Sequence, residues 1–419
     1  MKMKVAVVGL GYVGTPLLVR LAKTSINCIG YDKSLKRIYE LRNNIDYTNE
    51  IQNKNLPLLK KIVSSDEKIL TDCDIFIITV PTPIDDKNRP DINLVIHATK
   101  TVAKYIKKKS IFILESTVYP GLTEEICLPI LEKISNLKCC YNNETDGFHL
   151  GYSPERINPG DKKHTLENTT KIISSSSSYS LKKLKYLYNK VTNNNLHICK
   201  NIKTAEAAKI IENIQRDLNI SLMNELHKLF TKMNINTYDV LDAAKTKWNF
   251  HDFTPGLVGG HCISVDPYYL TFKAKKLGFK TNVILAGRKT NDSMPSFYAD
   301  QIHLNLSNKQ IKPKNCKILI CGVAFKKNVP DIRNSKSIIL SKILIKLGYQ
   351  VQIYDPVVPK KDWLEKNINF KNTLDNNKFN CIVMSVDHDA FKKNGIEYFQ
   401  KYLLDKNSIV IDLKNMFQS

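Results

Sequence analysis

The sequence predicts an α/β chain in which two parallel-sheet lobes are joined by a central helical segment containing one long helix. Three observations carry this. Short apolar runs at 5–8, 28–31, 75–80 and 111–114 alternate with amphipathic stretches, the pattern of a βαβ series whose sheet is covered on both faces. Residues 204–233 contain neither Pro nor Gly and place apolar residues at helical spacing. That is enough for one helix of about 45 Å, at about 1.5 Å per residue. From Lys317 a second alternating series begins, with strands expected at 318–321, 351–354, 381–386 and 408–413.

The first strand runs directly into Gly9-Leu10-Gly11-Tyr12-Val13-Gly14, and Asp32 closes the second strand. Glycines here permit a tight turn and let the backbone and a helix N-terminus approach a pyrophosphate. Strand, glycines, helix, strand and acid in this order make the first lobe Rossmann-like and a dinucleotide site. The Asp32 carboxylate suits ribose hydroxyls and repels a 2′-phosphate, which favours NAD over NADP, while Arg37 nearby is a cation that a 2′-phosphate would use. The five serines at 174–178 follow Lys171-Ile172-Ile173 and precede a helical run from Leu181, so a strand end leading into a helix is expected there. In the second lobe Val351-Gln352-Ile353-Tyr354-Asp355 answers Cys28-Ile29-Gly30-Tyr31-Asp32. That lobe is also Rossmann-like, but without the glycine fingerprint it is expected to hold a different ligand.

Length and composition set bounds on the rest. At 419 residues, 42% of them apolar, the chain divides into two or three domains. No apolar run approaches the roughly 18–20 residues of a membrane span, and the apolar start reads as a buried strand, not a signal peptide. The ten cysteines contain no C-x-x-C pair, so neither a metal site nor a disulfide framework is indicated and a reducing cytoplasm fits. A formal charge of +23 favours encounter with any polyanion. No aromatic-basic motif or zinc-finger spacing accompanies it, so the lysines are assigned to solvated faces, with neither nucleic acid nor membrane as partner.

Two places carry chemistry beyond the glycine fingerprint. Cys262 follows a glycine-rich turn, Pro255-Gly256-Leu257-Val258-Gly259-Gly260-His261, and Ile263-Ser264-Val265-Asp266-Pro267 reads as a helix start. A thiol at a helix N-terminus is biased toward the nucleophilic thiolate. On the long helix Lys209 and Asn213 stand four apart, so an ammonium and an amide share one face amid Ala205, Ala207, Ala208, Ile210 and Ile211.

Together these motifs resemble the UDP-glucose/GDP-mannose dehydrogenase family over essentially the whole chain. The resemblance rests on Gly9 to Gly14, Val80-Pro81-Thr82-Pro83, Glu115-Ser116-Thr117, Pro154-Glu155-Arg156, Glu206-x-x-Lys209-x-x-x-Asn213, Gly259-Gly260-His261-Cys262, and Phe325-Lys326 through Arg333, in the family's order. Within the family, Tyr152 to Asp161 and Gly260-His261-Cys262 look like bacterial enzymes acting on UDP-N-acetylhexosamines, the Vi-type UDP-N-acetylglucosamine 6-dehydrogenases above all.

The resemblance implies an NAD-binding domain at 1–200, a central helical domain for dimerisation and catalysis at 201–305, and a UDP-sugar-binding domain at 306–419. It implies that Gly9, Gly11, Tyr12, Val13, Gly14, Asp32, Arg37, Thr82, Thr117 and Arg333 contact NAD. Arg156, Ile157, Lys209, Asn213, Arg216, Gly259, Phe325 and Lys326 would contact the UDP-sugar. The implied reaction takes a C6 alcohol to a carboxylate by two hydride transfers, with Cys262 holding the intermediate as a thioester. Lys209 and Asn213 would stabilise the oxyanion, Asp266 would balance Lys209 and orient water, and Glu155 and Thr117 would position water or relay protons. The product would serve a capsule or O-antigen polysaccharide.

Some relatives that use UDP-N-acetylmannosamine carry His and Arg where this chain reads Lys247-Trp248-Asn249-Phe250, which lowers that substrate without deciding between glucosamine and galactosamine. UDP-glucose remains a further alternative. A single-step hydroxyacid dehydrogenase of the 6-phosphogluconate type is the rival enzyme class, but it has no use for Cys262 or a second α/β lobe. A non-catalytic dinucleotide sensor is the remaining alternative.

Overall fold

The computed structural model describes residues 3–48, 50–142, 144–155 and 165–417. The chain forms two compact units, Met1–Glu212 with Tyr268–Phe279, and Asn213–Pro267 with Lys280–Ser419.

The first unit is built on an eight-stranded sheet: β1 (Lys4–Val8), β2 (Asn27–Tyr31), β3 (Val63–Ser64), β4 (Ile75–Ile78), β5 (Ile111–Leu114), β6 (His149–Tyr152), β7 (Lys171–Ser175) and β8 (Leu196–Ile198). Its order is β3-β2-β1-β4-β5-β6-β7-β8. Helices α1 (Gly14–Ala22), α2 (Leu35–Arg42), α3 (Asn93–Ala103), α4 (Leu128–Ser135) and α5 (Ser178–Thr192) belong to it. All four residues of β4 and of β5 are buried, which is why Ile-Phe-Ile-Ile and Ile-Phe-Ile-Leu show no alternation.

The expected all-parallel sheet has one exception, since β6 and β7 run antiparallel. A parallel neighbour needs a crossover, normally a helix. Here α5 supplies one only after β7, and β7 and β8 are parallel. The serine run does close a strand and open a helix, with Ser177 Oγ accepting from Ser180 N at 3.2 Å. The strand expected over 75–80 stops at Ile78 because Thr79 turns under the glycine loop, where its Oγ1 donates to Gly9 O at 2.6 Å.

The long helix α6 (Ile202–Lys232) lies where the uninterrupted run placed it. It is followed by α7 (Thr237–Lys245), α8 (Asp266–Lys276), α9 (Asn282–Asp292) and α10 (Met294–Asn308). The second unit then forms β9 (Lys317–Cys321), α11 (Lys336–Lys346), β10 (Gln350–Tyr354), β11 (Asn369–Lys371), β12 (Cys381–Met384), α12 (Asp389–Gln400) and β13 (Ile409–Asp412). This sheet is parallel throughout, in the order β11-β10-β9-β12-β13. Both sheets reverse direction beside their first strand, at β1/β4 and β9/β12, the crevice where open α/β sheets bind ligands. Among the described residues no helix is long and apolar enough to cross a membrane.

Candidate active site

In the first unit the expected cofactor residues gather at the carboxyl ends of the strands. Gly9 leaves β1 at φ +96° with its N–H donating to Tyr31 O at 2.9 Å, and a Cβ there would stand 2.9 Å from Val80 Cγ1. A Cβ on Gly14 would fall 1.9 Å from Gly9 O, so α1 begins hard against the turn. A Cβ on Gly11 would meet nothing within 4 Å, and Val13 precedes α1 without a side-chain cap. An open backbone beside uncapped helix N–H groups fits a dinucleotide pyrophosphate. Tyr12 stands 6.1 Å from Tyr47, ring centre to ring centre.

Asp32 is half-buried, its Oδ2 accepting from Leu10 N at 2.8 Å and its Oδ1 from Ser34 N at 2.9 Å. Arg37, expected beside the cofactor, lies beneath the glycine loop. It is 4% exposed and donates to Leu10 O at 2.6 Å, Thr15 Oγ1 at 2.9 Å and Asp46 Oδ1 at 2.8 Å. Its partners brace the loop, and the Tyr47 ring lies 4.4 Å from the guanidinium carbon.

Thr82 follows β4, Thr117 follows β5 and Glu155 follows β6, so all three join the glycine loop along the same sheet edge. Tyr269 donates to Pro83 O at 3.0 Å and steadies the Val80–Pro83 stretch. Arg156 and Ile157 lie outside the described residues. Behind Glu155 is a buried group that sequence reasoning missed. Lys171 Nζ lies 3.3 Å from Glu115 Oε2 and 3.4 Å from Glu155 Oε2, and the Tyr188 hydroxyl donates to Glu115 Oε1 at 2.5 Å.

Helix α6 carries Lys209, half-buried, and one turn later Asn213, buried. Glu206 was quoted with this motif but given no task, and the structure supplies one. Fully buried, it accepts from Gly121 N, from Thr123 N at 3.0 Å and from Thr123 Oγ1 at 2.7 Å, which pins the start of α6 to the loop after Thr117. Burial pushes its carboxyl up to about 7, against the hydrogen bonds from Thr123 and Gly121.

In the second unit, Asn213 Nδ2 donates to Asp266 Oδ2 at 2.6 Å while Arg216 Nη1 donates to Asn213 Oδ1 at 3.2 Å. The amide is therefore oriented from both ends, and Asp266, 3% exposed, is engaged in aiming it. Among the described residues, which include all ten cysteines, Cys262 is the one that is not buried. Burial lifts thiols such as Cys28, Cys73 and Cys316 to about 11.

The helix start expected within 263–267 falls at Asp266, with Pro267 in its first turn, where proline is tolerated. Cys262 sits one turn earlier, and its carbonyl accepts from Val265 N at 3.0 Å and Asp266 N at 2.9 Å. The turn is fixed from outside by its glycines. A Cβ on Gly260, at φ +86°, would lie 2.7 Å from the Phe325 ring, and one on Gly259 would lie 2.7 Å from Asn334 O. Asn334 Nδ2 donates to Gly260 O at 3.0 Å, and the His261 and Phe325 rings meet edge to face. At the other end Asn224 brackets Gly256, donating to its carbonyl at 3.0 Å and accepting from its N–H at 2.8 Å.

Phe325 and Lys326 leave β9 on a loop held by Phe325 N to Asp331 O at 2.9 Å and Asn328 N to His388 Nδ1 at 2.9 Å. Arg333 lies in the same loop, paired through Nε and Nη2 with Asp331. Burial would raise Asp331, but the Arg333 hydrogen bonds outweigh it and hold the carboxyl below its usual range.

Family models match almost the whole chain. The NAD-binding domain of the UDP-glucose/GDP-mannose dehydrogenase family matches residues 3–192, its central domain 203–293 and its UDP-binding domain 319–419. A UDP-N-acetyl-D-glucosamine 6-dehydrogenase of Pseudomonas aeruginosa is 43% identical over 414 residues, 98% of this chain and 96% of the relative. Protein CapL of Staphylococcus aureus is 42% identical, over 100% of this chain and 97% of its own length. A solved UDP-N-acetyl-D-mannosamine dehydrogenase of Pyrococcus horikoshii superposes with a TM-score of 0.87 at 30% identity, covering 100% of this chain and 96% of its own. Fold, glycine loop and matched domains define an NAD-dependent oxidoreductase of UDP-sugars. The chain belongs to the UDP-glucose/GDP-mannose dehydrogenase family.

Proposed function

We propose that the protein oxidises the C6 alcohol of a UDP-N-acetylhexosamine, UDP-N-acetylglucosamine foremost, to the uronic acid through a thioester on Cys262. The observation that carries this is Cys262 itself, the one partly exposed thiol, set in a turn built against Phe325 and Asn334 and one turn from Asp266. The 43% identity to an N-acetylglucosamine enzyme, against 30% to the mannosamine enzyme, supports the choice of sugar. The high structural likeness of the latter keeps UDP-N-acetylmannosamine as the second reading.

Gly9, Gly11, Tyr12, Val13, Gly14, Asp32, Arg37, Thr82, Thr117 and Arg333 would hold NAD, which would supply the hydride acceptor for both oxidations. The chain's residues do the remainder. Asn213 has two amide hydrogens, and with one held by Asp266 the second is available to the C6 oxygen. Lys209 adds an ammonium, and such a donor in a low-dielectric site contributes about 3–4 kcal/mol. Cys262 thiolate adds to the C6 aldehyde, its sulfur–carbon bond persists through the second oxidation, and water cleaves the thioester to carboxylate and thiol. Glu155, with Thr117, takes the proton from that water. Gly259, Phe325, Lys326, Arg216, Arg156 and Ile157 bind the UDP-sugar.

On this reading residues 1–200, 201–305 and 306–419 divide cofactor binding, dimerisation and UDP binding, in a cytoplasmic homodimer that feeds a surface polysaccharide. NADH absorbance with UDP-glucose and the UDP-N-acetyl derivatives of glucosamine, galactosamine and mannosamine tests class and sugar together. Two NADH per uronate are expected with the wild type, and Cys262→Ser is expected to form no uronate. Undiminished uronate formation by that variant would sink the thioester.

A further inference from the structure

The buried group behind Glu155 has no part in the chemistry above. Lys171 opens β7 with its side chain 3% exposed, and the groups facing it come from three other elements. Glu115, 0% exposed, follows β5; Glu155, 9% exposed, and Pro154 O at 3.3 Å follow β6; the Tyr188 ring, 5.2 Å from the ammonium, belongs to α5. Ser153 Oγ donates to Ile172 O at 2.8 Å and Ser174 Oγ to Tyr152 O at 3.0 Å, so the ends of β6 and β7 are stitched together around this contact.

Two carboxylates thus share one ammonium beside a phenol. Glu115 and Glu155 lie on the same buried ammonium, 3.3 and 3.4 Å from it, and burial favours a proton held between the two carboxylates. Burial pushes Glu115 up to about 7, with Lys171 opposing and Glu155 adding to the shift. For Lys171 burial works downward, but the two carboxylates outweigh it and raise the ammonium. Protons on such a group belong to the pair, not to one carboxylate.

We propose that Lys171 and Glu115 are positioning residues for Glu155: the shared ammonium orients its carboxylate, and the proton that the Glu115–Glu155 pair shares across Lys171 governs hydrolysis of the thioester. A proton accepted by Glu155 has an onward route, in which it passes to Lys171 as the ammonium releases one to Glu115. Lys171 ends as it began, and no proton is lost or gained. The inference rests on Glu155 acting as base in thioester cleavage.

The test is the pH dependence of that one step, read in a single turnover as the release of radiolabelled sugar from Cys262. Wild type, Glu115→Gln, Lys171→Met, Lys171→Arg and Glu155→Gln are compared, with folding checked by circular dichroism. Glu115→Gln leaves the ammonium to Glu155 alone and moves the acid limb down by about one unit, the shift of a carboxylate with a strengthened cationic neighbour. Lys171→Met moves it up by about one unit or more, and Lys171→Arg returns it toward the wild type. A structural role changes the amount of folded enzyme and leaves the limb in place. If Lys171→Met does not fold, Glu115→Gln and Lys171→Arg still decide. A limb that stays put or rises in folded Glu115→Gln overturns the inference. Survival of the limb in Glu155→Gln overturns instead the assignment of Glu155 beneath it.

Discussion

Asp32 and Asp355 occupy the same station in the two sheets: each follows a tyrosine that ends the second strand, and each accepts from the N–H one residue past a glycine that leaves the first strand. The glycines are Gly9 at φ +96° and Gly322 at φ +93°, and the bonds are Leu10 N to Asp32 at 2.8 Å and Val323 N to Asp355 at 2.7 Å. One station has been put to two uses. Asp32 is half-buried, whereas Asp355 is fully buried and also accepts from Ala324 N, Val357 N and Val358 N and meets His388 Nε2 at 3.2 Å.

Asp32→Ala is therefore expected to act on the cofactor. A lost charged hydrogen bond of about 1.5–3 kcal/mol raises the KM for NAD roughly 10- to 100-fold. The preference for NAD over NADP should narrow as the repulsion of a 2′-phosphate goes. Initial rates with both dinucleotides measure this; an unchanged ratio would remove Asp32 from the ribose.

Asp355→Ala is expected to act on the fold. Four backbone donors and a buried histidine lose their acceptor together, and with about 1–3 kcal/mol for each buried group left unsatisfied the loss is at least about 3 kcal/mol. Urea unfolding checks it. The KM for NAD of the folded fraction should stay at the wild-type value.

Asn213 and Asp266 should behave as one device. Asn213→Ala lowers kcat roughly 10²- to 10³-fold by deleting a donor to the oxyanion. Asp266→Ala leaves the amide in place and held only by Arg216, so it costs less, and the double variant costs less than the sum of the two. Additive losses across the four enzymes would separate the pair.

Glu206 gives a pH signature. Its folded carboxyl is raised from 4.5 to about 7, so between these values the folded chain binds more protons than the unfolded one and stability falls as pH rises. Below 4.5 both states are protonated, and above 7 the loss is complete, at about 3 kcal/mol. Glu206→Gln removes this slope. Unfolding free energies of wild type and variant from urea titrations across pH 4.5–7 should diverge by that amount, and parallel curves would refute it.

What the sequence disclosed was what neighbours along the chain decide. Gly9 to Gly14 and Asp32 stand close together in sequence, and the Cys262 turn carries its own glycines. The helix start read at 263–267 holds, with α8 beginning at Asp266 after a turn that Cys262 O already closes through Val265 and Asp266. The Lys171 group was hidden for the opposite reason. Its members lie 56 and 16 positions apart and meet through the β5–β6–β7 pairing, and an antiparallel neighbour inside a βαβ series has no local signal. Arg37 shows a third case: its bonds to Leu10 O and Asp46, which brace the glycine loop, depend on the folded loop and leave no trace in the residue types.

With Cys262 as the proposed nucleophile, the uneven burial of the ten cysteines would make the protein its own active-site counter. A mild alkylating reagent should attach once per folded chain, at Cys262, and the label taken up should equal the number of competent sites in a preparation. The same asymmetry concentrates oxidative damage. Peroxide reaching this thiol would silence the chain while the nine packed thiols, and with them the fold, go untouched.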